Sequence, residues 1–339
     1  MRAVLLLCCL LGAAQACTDL YMNFTDFRLS ARTLDLGLMS NWTITSWPTS
    51  ASLLDEEQQI DNPPLAFWPS KFGALGITAN WFGDEHYGFP SLFADSLNER
   101  GLSCSLLTLD KTEYQQKSAD KTNVFAGLFC FYAVQNYESV HDLQQSLPSI
   151  AIWGPDALAQ HFVVRDSSGA SLVIELVGGM QYVYLDSNDG IGGYGITTNE
   201  PTFDFHLTNV AHYEWKRGLA RQAVAVPGNF YPEERFLRTH MVRSGMQQMG
   251  LMDTHDFQQA FSLTTQVLNT VTVPQGYQWG TDSGSSEGDA DHSNWGLVRD
   301  HAEPAIYWRD ASNPTFRKIS LAPLLQGGKR RAMQLESGP

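Results

Sequence analysis

Ala14-Gln15-Ala16-Cys17 has the small-x-small form of a signal-peptide cleavage site, with a cysteine as the first residue beyond it. Upstream, Arg2 supplies a short basic region and Val4-Leu5-Leu6-Leu7-Cys8-Cys9-Leu10-Leu11 an apolar one, so residues 1–16 are expected to be a secretory signal. That run is too short to span a bilayer. A lipoprotein signal also places a cysteine first, but Ala14 and Gln15 fit poorly where such signals prefer a large aliphatic and then a small residue. Cleavage before Cys17 would give one residue both a thiol and a free α-amine.

Beyond that point the chain is long enough for one large core: 339 residues, 43% apolar, with no spacer dividing them. Removing residues 1–16 takes away one Arg and no acid, so 21 bases against 36 acids leave a formal charge of −15. That balance argues against nucleic acid or an anionic membrane as partner. No later run approaches the length of a transmembrane helix, so no stable membrane insertion is expected. Cys8 and Cys9 would leave with the signal, and Cys17, Cys104 and Cys130 would remain. Three is an odd number, which flags one free thiol. Cys104 and Cys130 are compatible with a bridge in an oxidising compartment or with two separately buried thiols. Asn23-Phe24-Thr25 and Asn41-Trp42-Thr43 are glycosylation acceptors if the source is eukaryotic.

Outward from Cys17, residues 18–24 and 28–36 read as two strands joined by Thr25-Asp26, a hairpin beginning at the cysteine. The second strand carries Arg32 and Asp35, and residues three apart on a strand point to opposite faces. Both are expected to meet Cys17 only if the strand ends or bends there. An acidic, proline-bearing loop is expected over residues 53–69, then a strand over 72–82 and a turn at 83–88. Two strands, 91–97 and 101–109, flank the turn Asn98-Glu99-Arg100-Gly101.

Residues 123–137 and 139–147 predict helices, the second capped by Ser139 and stopped by Pro148. The first is so apolar that it must be buried against a sheet. Residues 161–166, 171–177 and 181–186 alternate as a meander. Helices are expected over 207–217, 232–249 and 254–271, a mobile Gly/Ser/Asp-rich loop over 280–293, strands at 295–300, 305–309 and 316–321, and a loose tail from residue 326. This order fits an α+β domain in which helices cover a sandwich of antiparallel sheets.

An amino-terminal cysteine can use its own amine as general base, because such an amine titrates at roughly 7.7–8.0 and a thiol near 8.5. The thiolate would attack a carbonyl, form an acyl-enzyme and be released by water, with oxyanion donors supplied elsewhere. Taken alone, each residue also has a plainer reading. Cys17 is then only the first residue of a secreted chain, Arg32 and Asp35 a salt-bridged pair, Asn199 turn chemistry and Arg235 a solvated helix residue.

Together, Cys17, Ala31-Arg32-Thr33-Leu34-Asp35, Leu97-Asn98-Glu99-Arg100-Gly101-Leu102, Thr198-Asn199-Glu200-Pro201-Thr202-Phe203-Asp204-Phe205-His206 and Arg235-Phe236 resemble, in content and order, the choloylglycine hydrolase family. That family includes bile salt hydrolases and penicillin V acylases, which are amino-terminal-nucleophile (Ntn) hydrolases. The resemblance implies a four-layer αββα sandwich, with residues 17–322 as the catalytic domain and 323–339 as a tail. It implies Cys17 as nucleophile and its α-amine as base, Asp35 holding the amine and Arg32 beside the sulfur. Asn199 would offer its side-chain amide to the oxyanion, and Arg235 would support the charge network. Thr108 stands where bile salt hydrolases carry asparagine and penicillin V acylases tyrosine; its backbone N–H is implied as an oxyanion donor. The amino-terminal signal is a second departure, since cytoplasmic bile salt hydrolases expose their cysteine by removing a lone methionine.

The expected activity is hydrolysis of a linear amide of an N-acyl compound, such as penicillin V or an acyl-homoserine lactone, by a secreted or otherwise extracytoplasmic enzyme. The alternatives are a catalytically silent binding protein or lipoprotein on the same fold, and an amidase of conjugated bile acids or of ceramide-type lipids. No cofactor is expected, and no metal: the nine histidines show no His-x-x-x-His pair and no Cys-x-x-Cys occurs. The partner expected is a small-molecule amide, with a homo-oligomer left open. Trp47, Trp68, Trp81 and Phe82 are read chiefly as core, with an acyl pocket as the alternative.

Overall fold

The hairpin that starts at Cys17 becomes the second and third strands of a six-stranded sheet. The computed structural model describes residues 17–36, 42–49, 68, 70–79, 92–186, 194–220, 225–277, 292–326, 328–329 and 331–334. The expected signal, most of the 53–69 loop, the 83–88 turn, nearly all of the 280–293 loop, Asn41, Trp81 and Phe82 lie outside those residues.

The strands in chain order are β1 (Thr18–Asn23), β2 (Arg28–Leu36), β3 (Trp42–Trp47), β4 (Ala74–Ala79), β5 (Phe93–Asn98), β6 (Ser103–Thr108), β7 (Thr122–Phe125) and β8 (Ile150–Trp153). They continue as β9 (Gln160–Arg165), β10 (Ser171–Val177), β11 (Met180–Asp186), β12 (Ile196–Thr197), β13 (His292–Asp300), β14 (Ala305–Asp310), β15 (Arg317–Ser320) and β16 (Arg331–Gln334). The helices are α1 (Ala126–Asn136), α2 (Val140–Ser146), α3 (Phe203–Ala220), α4 (Pro232–Gln248), α5 (Phe257–Val271) and α6 (Leu321–Leu325).

One antiparallel sheet runs β12-β1-β2-β13-β14-β15, and the other β11-β10-β9-β6-β5-β4-β3-β16. Alternation along the strands assigns their faces. On β9, Phe162 and Val164 join the core beneath α1, whereas Val163 faces the layer between the sheets with Leu34, Leu107, Trp295 and Trp308. On β2, Leu29 and Ala31 pack towards α5, whose buried Ala260, Leu263, Val267, Leu268 and Val271 recur at helical spacing. Each such leucine contributes about 1.5–3 kcal/mol by leaving water. The layers are therefore α1 and α2, the eight-stranded sheet, the six-stranded sheet, and α3, α4 and α5. This is the expected α+β sandwich.

Helix α1 is buried from Ala126 to Gln135, with Phe131 stacked on Phe93 at 4.0 Å. Cys104 on β6 and Cys130 on α1 form a disulfide that ties this helix to its sheet, and Cys17 is the free cysteine. Trp47 and Trp68 are core residues here, packed edge-on against Phe131 and Tyr132. The turn Asn98-Glu99-Arg100-Gly101 is structural. The Asn98 Oδ1 accepts from the Arg100 and Leu102 amides, its Nδ2 donates to the Val134 and Tyr137 carbonyls, and Gly101 has φ +84°. A Cβ at Gly101 would sit 2.0 Å from the His301 carbonyl oxygen, so only glycine fits.

Several boundaries differ from expectation. Thr122–Phe125 is not the start of a helix, because it pairs in parallel with Ile150–Trp153, a strand the sequence reading omits. Helix α3 begins at Phe203, four residues before the expected start at 207, and so takes in the end of the Asn199-to-His206 motif. Asp256 caps α5 by accepting from the Gln258 amide, which moves its start from 254 to Phe257. The tail is not loose throughout: Arg331–Gln334 pairs with β3 as an edge strand.

Candidate active site

Cys17 immediately precedes β1 and is 3% exposed. Its side chain joins the layer between the sheets, as does that of Asp19 two residues on. Arg32 on β2 points into the same layer and donates to the Ala94 carbonyl, to the Leu106 carbonyl at 2.5 Å and to Asp95 Oδ2 at 3.2 Å. Asp35 lies on the other face. Its carboxylate accepts from Thr33 Oγ1 at 3.1 Å and from Ser293 Oγ at 2.5 Å.

Strand β2 neither ends nor turns between Arg32 and Asp35, contrary to the condition set from the sequence. The Cys17 thiol instead meets the side chain of Arg32 and the backbone of Asp35, so both residues reach it without a break in the strand. The irregularity falls on the neighbouring strand, where β13 bulges between Ser293 and Trp295 opposite Asp35 and Leu34. Burial pushes the Cys17 thiol up from its ordinary value, and the Arg32 guanidinium opposes that rise.

Arg235, fully buried on α4, connects the pieces. Its Nη1 donates to the Cys17 carbonyl and to Thr18 Oγ1, both at 2.5 Å, its Nη2 to Asn199 Oδ1 at 2.9 Å, and its Nε to the Phe230 carbonyl at 2.7 Å. Burial lowers this guanidinium to about 10, with Asp35 and Cys17 opposing the shift.

Asn199 stands between β12 and α3, and its amide orientation follows from its partners. Arg235 can only donate, so Oδ1 faces it; the Thr108 carbonyl can only accept, so Nδ2 faces that at 3.0 Å. Among the described residues the second N–H of this amide meets no acceptor. Thr108 thus reaches the site through its carbonyl, while its Oγ1 accepts from Gln160 Nε2 at 3.5 Å. The next residues along reinforce the junction, with Glu200 Oε1 accepting from the Asp110 amide at 2.5 Å. His206 donates through Nε2 to the Asn199 carbonyl at 3.1 Å and lies flat on Phe236; burial pushes it down to about 4, so it is neutral near pH 7.

Cys17, Arg32, Asp35, Asn199, Arg235 and Thr108 therefore converge, although they come from five separate elements and links. Asp19, Asp95, Arg165 and Arg299 escaped the sequence reading. Asp19 Oδ1 accepts from Arg165 Nε at 2.7 Å and its Oδ2 from Arg299 Nη1 at 3.1 Å, while Asp95 accepts from both Arg299 and Arg32. Three guanidiniums thus share two carboxylates in a single buried network. The available signal was a charged residue at an inward position of an otherwise apolar strand. Among the described residues no group of His, Cys, Asp and Glu is placed to hold a metal ion.

Residues 17–322 match the family model described as linear amide C–N hydrolases, choloylglycine hydrolase family. Penicillin V acylase of Pectobacterium atrosepticum is 29% identical over 298 residues, covering 80% of this chain and 72% of the relative. Bile salt hydrolase/transferase of Clostridium perfringens is 26% identical over 257 residues, covering 68% and 72%. Among solved structures, a variant of the conjugated bile acid hydrolase from Clostridium perfringens superposes with a TM-score of 0.75 at 23% identity, covering 94% of this chain and 97% of that one. Penicillin V acylase from Agrobacterium tumefaciens does so with a TM-score of 0.73 at 19% identity, covering 94% and 92%.

Proposed function

The chain belongs to the choloylglycine hydrolase family of linear amide C–N hydrolases, and from that premise we propose that it is a secreted cysteine amidase acting on an N-acyl compound, with Cys17 as its amino-terminal nucleophile. The observation that carries this reading is the Asn199 amide, fixed by Arg235 and the Thr108 carbonyl, with one N–H that meets no acceptor among the described residues, on the guanidinium that also holds the residue bearing the thiol. The family match beginning at Cys17 and the disulfide between Cys104 and Cys130, suited to an oxidising compartment, support processing and export.

In this mechanism the freed α-amine of Cys17 takes the thiol proton, and Asp35 holds the resulting ammonium. The thiolate attacks the amide carbonyl carbon, and the oxygen takes up the electron pair as an oxyanion facing the second Asn199 N–H and the Thr108 backbone N–H. Arg32 stabilises the thiolate. Collapse breaks the C–N bond as the ammonium passes its proton to the departing nitrogen. Water, deprotonated by the same amine, then hydrolyses the thioester and restores the thiol.

The test is an amide panel of penicillin V, an N-acyl-homoserine lactone, a glycine-conjugated bile acid and a ceramide, run on protein whose amino terminus has been verified by mass. Turnover of one member is expected from protein beginning at Cys17, and none from its Cys17→Ala variant. Turnover retained by Cys17→Ala would exclude the mechanism. A correctly processed protein inert on every amide would support a silent binding protein.

A further inference from the structure

His161 and Glu175 are each about 1% exposed and sit on neighbouring strands β9 and β10. Their neighbours Phe162, Val164, Leu172 and Ile174 fill the core under α1, so alternation turns His161 and Glu175 the other way, towards β12 and α3. There the pair grips both ends of the link that carries Asn199. His161 Nε2 lies 2.8 Å from the Thr198 carbonyl oxygen, and its Nδ1 lies 3.1 Å from Glu175 Oε1. The carbonyl can only accept, so Nε2 carries the hydrogen on that side. The same Glu175 oxygen accepts from the Phe203 amide at 2.9 Å, the first residue of α3.

We infer that His161 and Glu175 are positioning residues for the oxyanion donor Asn199, an inference that rests on the amidase reading above. Two apolar side chains of the same size would fill this space without taking a carboxylate out of water, so packing alone does not account for the pair. Their partners are specific to the link: the carbonyl just before Asn199 and the amide four residues after it. Asn199 is also held by its own side chain, through Arg235 and Thr108, but those contacts orient the amide only if its backbone is fixed. Glu175 orients the ring, the ring holds Thr198, and the Asn199 amide is thereby held where charge develops. Neither His161 nor Glu175 touches Cys17, so the nucleophile should not depend on them.

The experiment uses mature protein with a verified amino terminus, carrying His161→Leu, Glu175→Leu or the milder Glu175→Gln, and compares two readouts. One is steady-state hydrolysis of the fastest substrate in the amide panel; the other is the second-order rate of Cys17 alkylation by iodoacetamide. His161→Leu and Glu175→Leu are expected to lower kcat about 10- to 100-fold, as displacement of an oxyanion donor does, with KM within about twofold. Alkylation should stay within about twofold of wild type in all three. Glu175→Gln keeps an oxygen for the Phe203 amide and should retain more kcat than Glu175→Leu. Unchanged kcat in folded variants would overturn the inference, as would a parallel fall in kcat and alkylation, which marks general collapse of the site. Should the leucine variants fail to fold, Glu175→Gln with full wild-type kcat would overturn it as well. Loss of turnover in the wild type itself would instead remove the amidase reading.

Discussion

Arg235 and Cys17 are joined across 218 residues by a hydrogen bond from the guanidinium Nη1 to the cysteine carbonyl at 2.5 Å. The contact lies on the backbone side of the cysteine, opposite the face where Arg32 meets the thiol. One guanidinium thus holds the Cys17 main chain and the Asn199 side chain in a single plane. On the proposed mechanism that plane sets the distance between attacking atom and oxyanion donor, and α4 is the element that carries it.

Arg235→Lys is therefore not conservative. Lysine offers a compact point charge that cannot reach the Cys17 carbonyl, Asn199 Oδ1 and the Phe230 carbonyl from one flexible stem. On the proposed mechanism, kcat is expected to fall at least about 100-fold while the far-ultraviolet circular dichroism is retained. Steady-state kinetics on the panel substrate measures this, and wild-type kcat in the lysine variant would remove Arg235 from the site.

Much of this arrangement is legible in the chain itself. The β1–β2 hairpin, the β9–β10–β11 meander and the Asn98-to-Gly101 turn carry alternation or turn chemistry that local pattern reads well. Thr122–Phe125 is less legible, because an apolar segment running straight into α1 looks the same as its first turn until its parallel partner is known. Arg331–Gln334 has no core signature at all, and its pairing with β3 depends on an edge left open by strands far away in sequence. Of the residues gathered around Cys17, those inside recognisable motifs are legible. His161, Glu175, Asp95 and Arg299 are not, since their importance lies in partners on other strands and a lone charge in a strand names no partner.

Asp95 tests how far the inter-sheet network supports the fold. It receives Arg32 at 3.2 Å and Arg299 Nε at 2.9 Å, with every side chain fully buried. Asp95→Asn would leave two desolvated guanidiniums short of a counter-charge and is expected to cost about 3–5 kcal/mol of stability. Asp26→Asn, which removes the exposed partner of His255, should cost less than about 1 kcal/mol. Urea denaturation of the two variants compares them directly, and equal losses would show that the buried layer is not a special source of stability.

Acid sensitivity should begin well above the carboxylate range, because of buried neutral histidines. Burial pushes His301 down to about 3, the contact to the Gly101 carbonyl opposing it, and burial pushes His206 down to about 4. Unfolded histidine titrates near 6.5, so as pH falls below that value the unfolded chain binds protons that the folded one refuses. Stability is then full above about pH 6.5 and declines until the folded values are passed, by up to about 1.4 kcal/mol per pH unit for each histidine. Asp19 acts lower down: burial alone would raise it, but Arg165 and Arg299 outweigh that and hold its carboxyl below the ordinary value. Its share is present above about pH 4 and lost only as pH falls further. His301→Gln removes one titration while keeping a donor for the Gly101 carbonyl and a partner for Ser30 Oγ. Unfolding free energies from urea titrations between pH 4.5 and 7.5, a window set by those histidine values, should show a shallower slope in this variant. A slope equal to wild type would mean that His301 takes up its proton in the folded protein, and the buried-neutral assignment would be wrong.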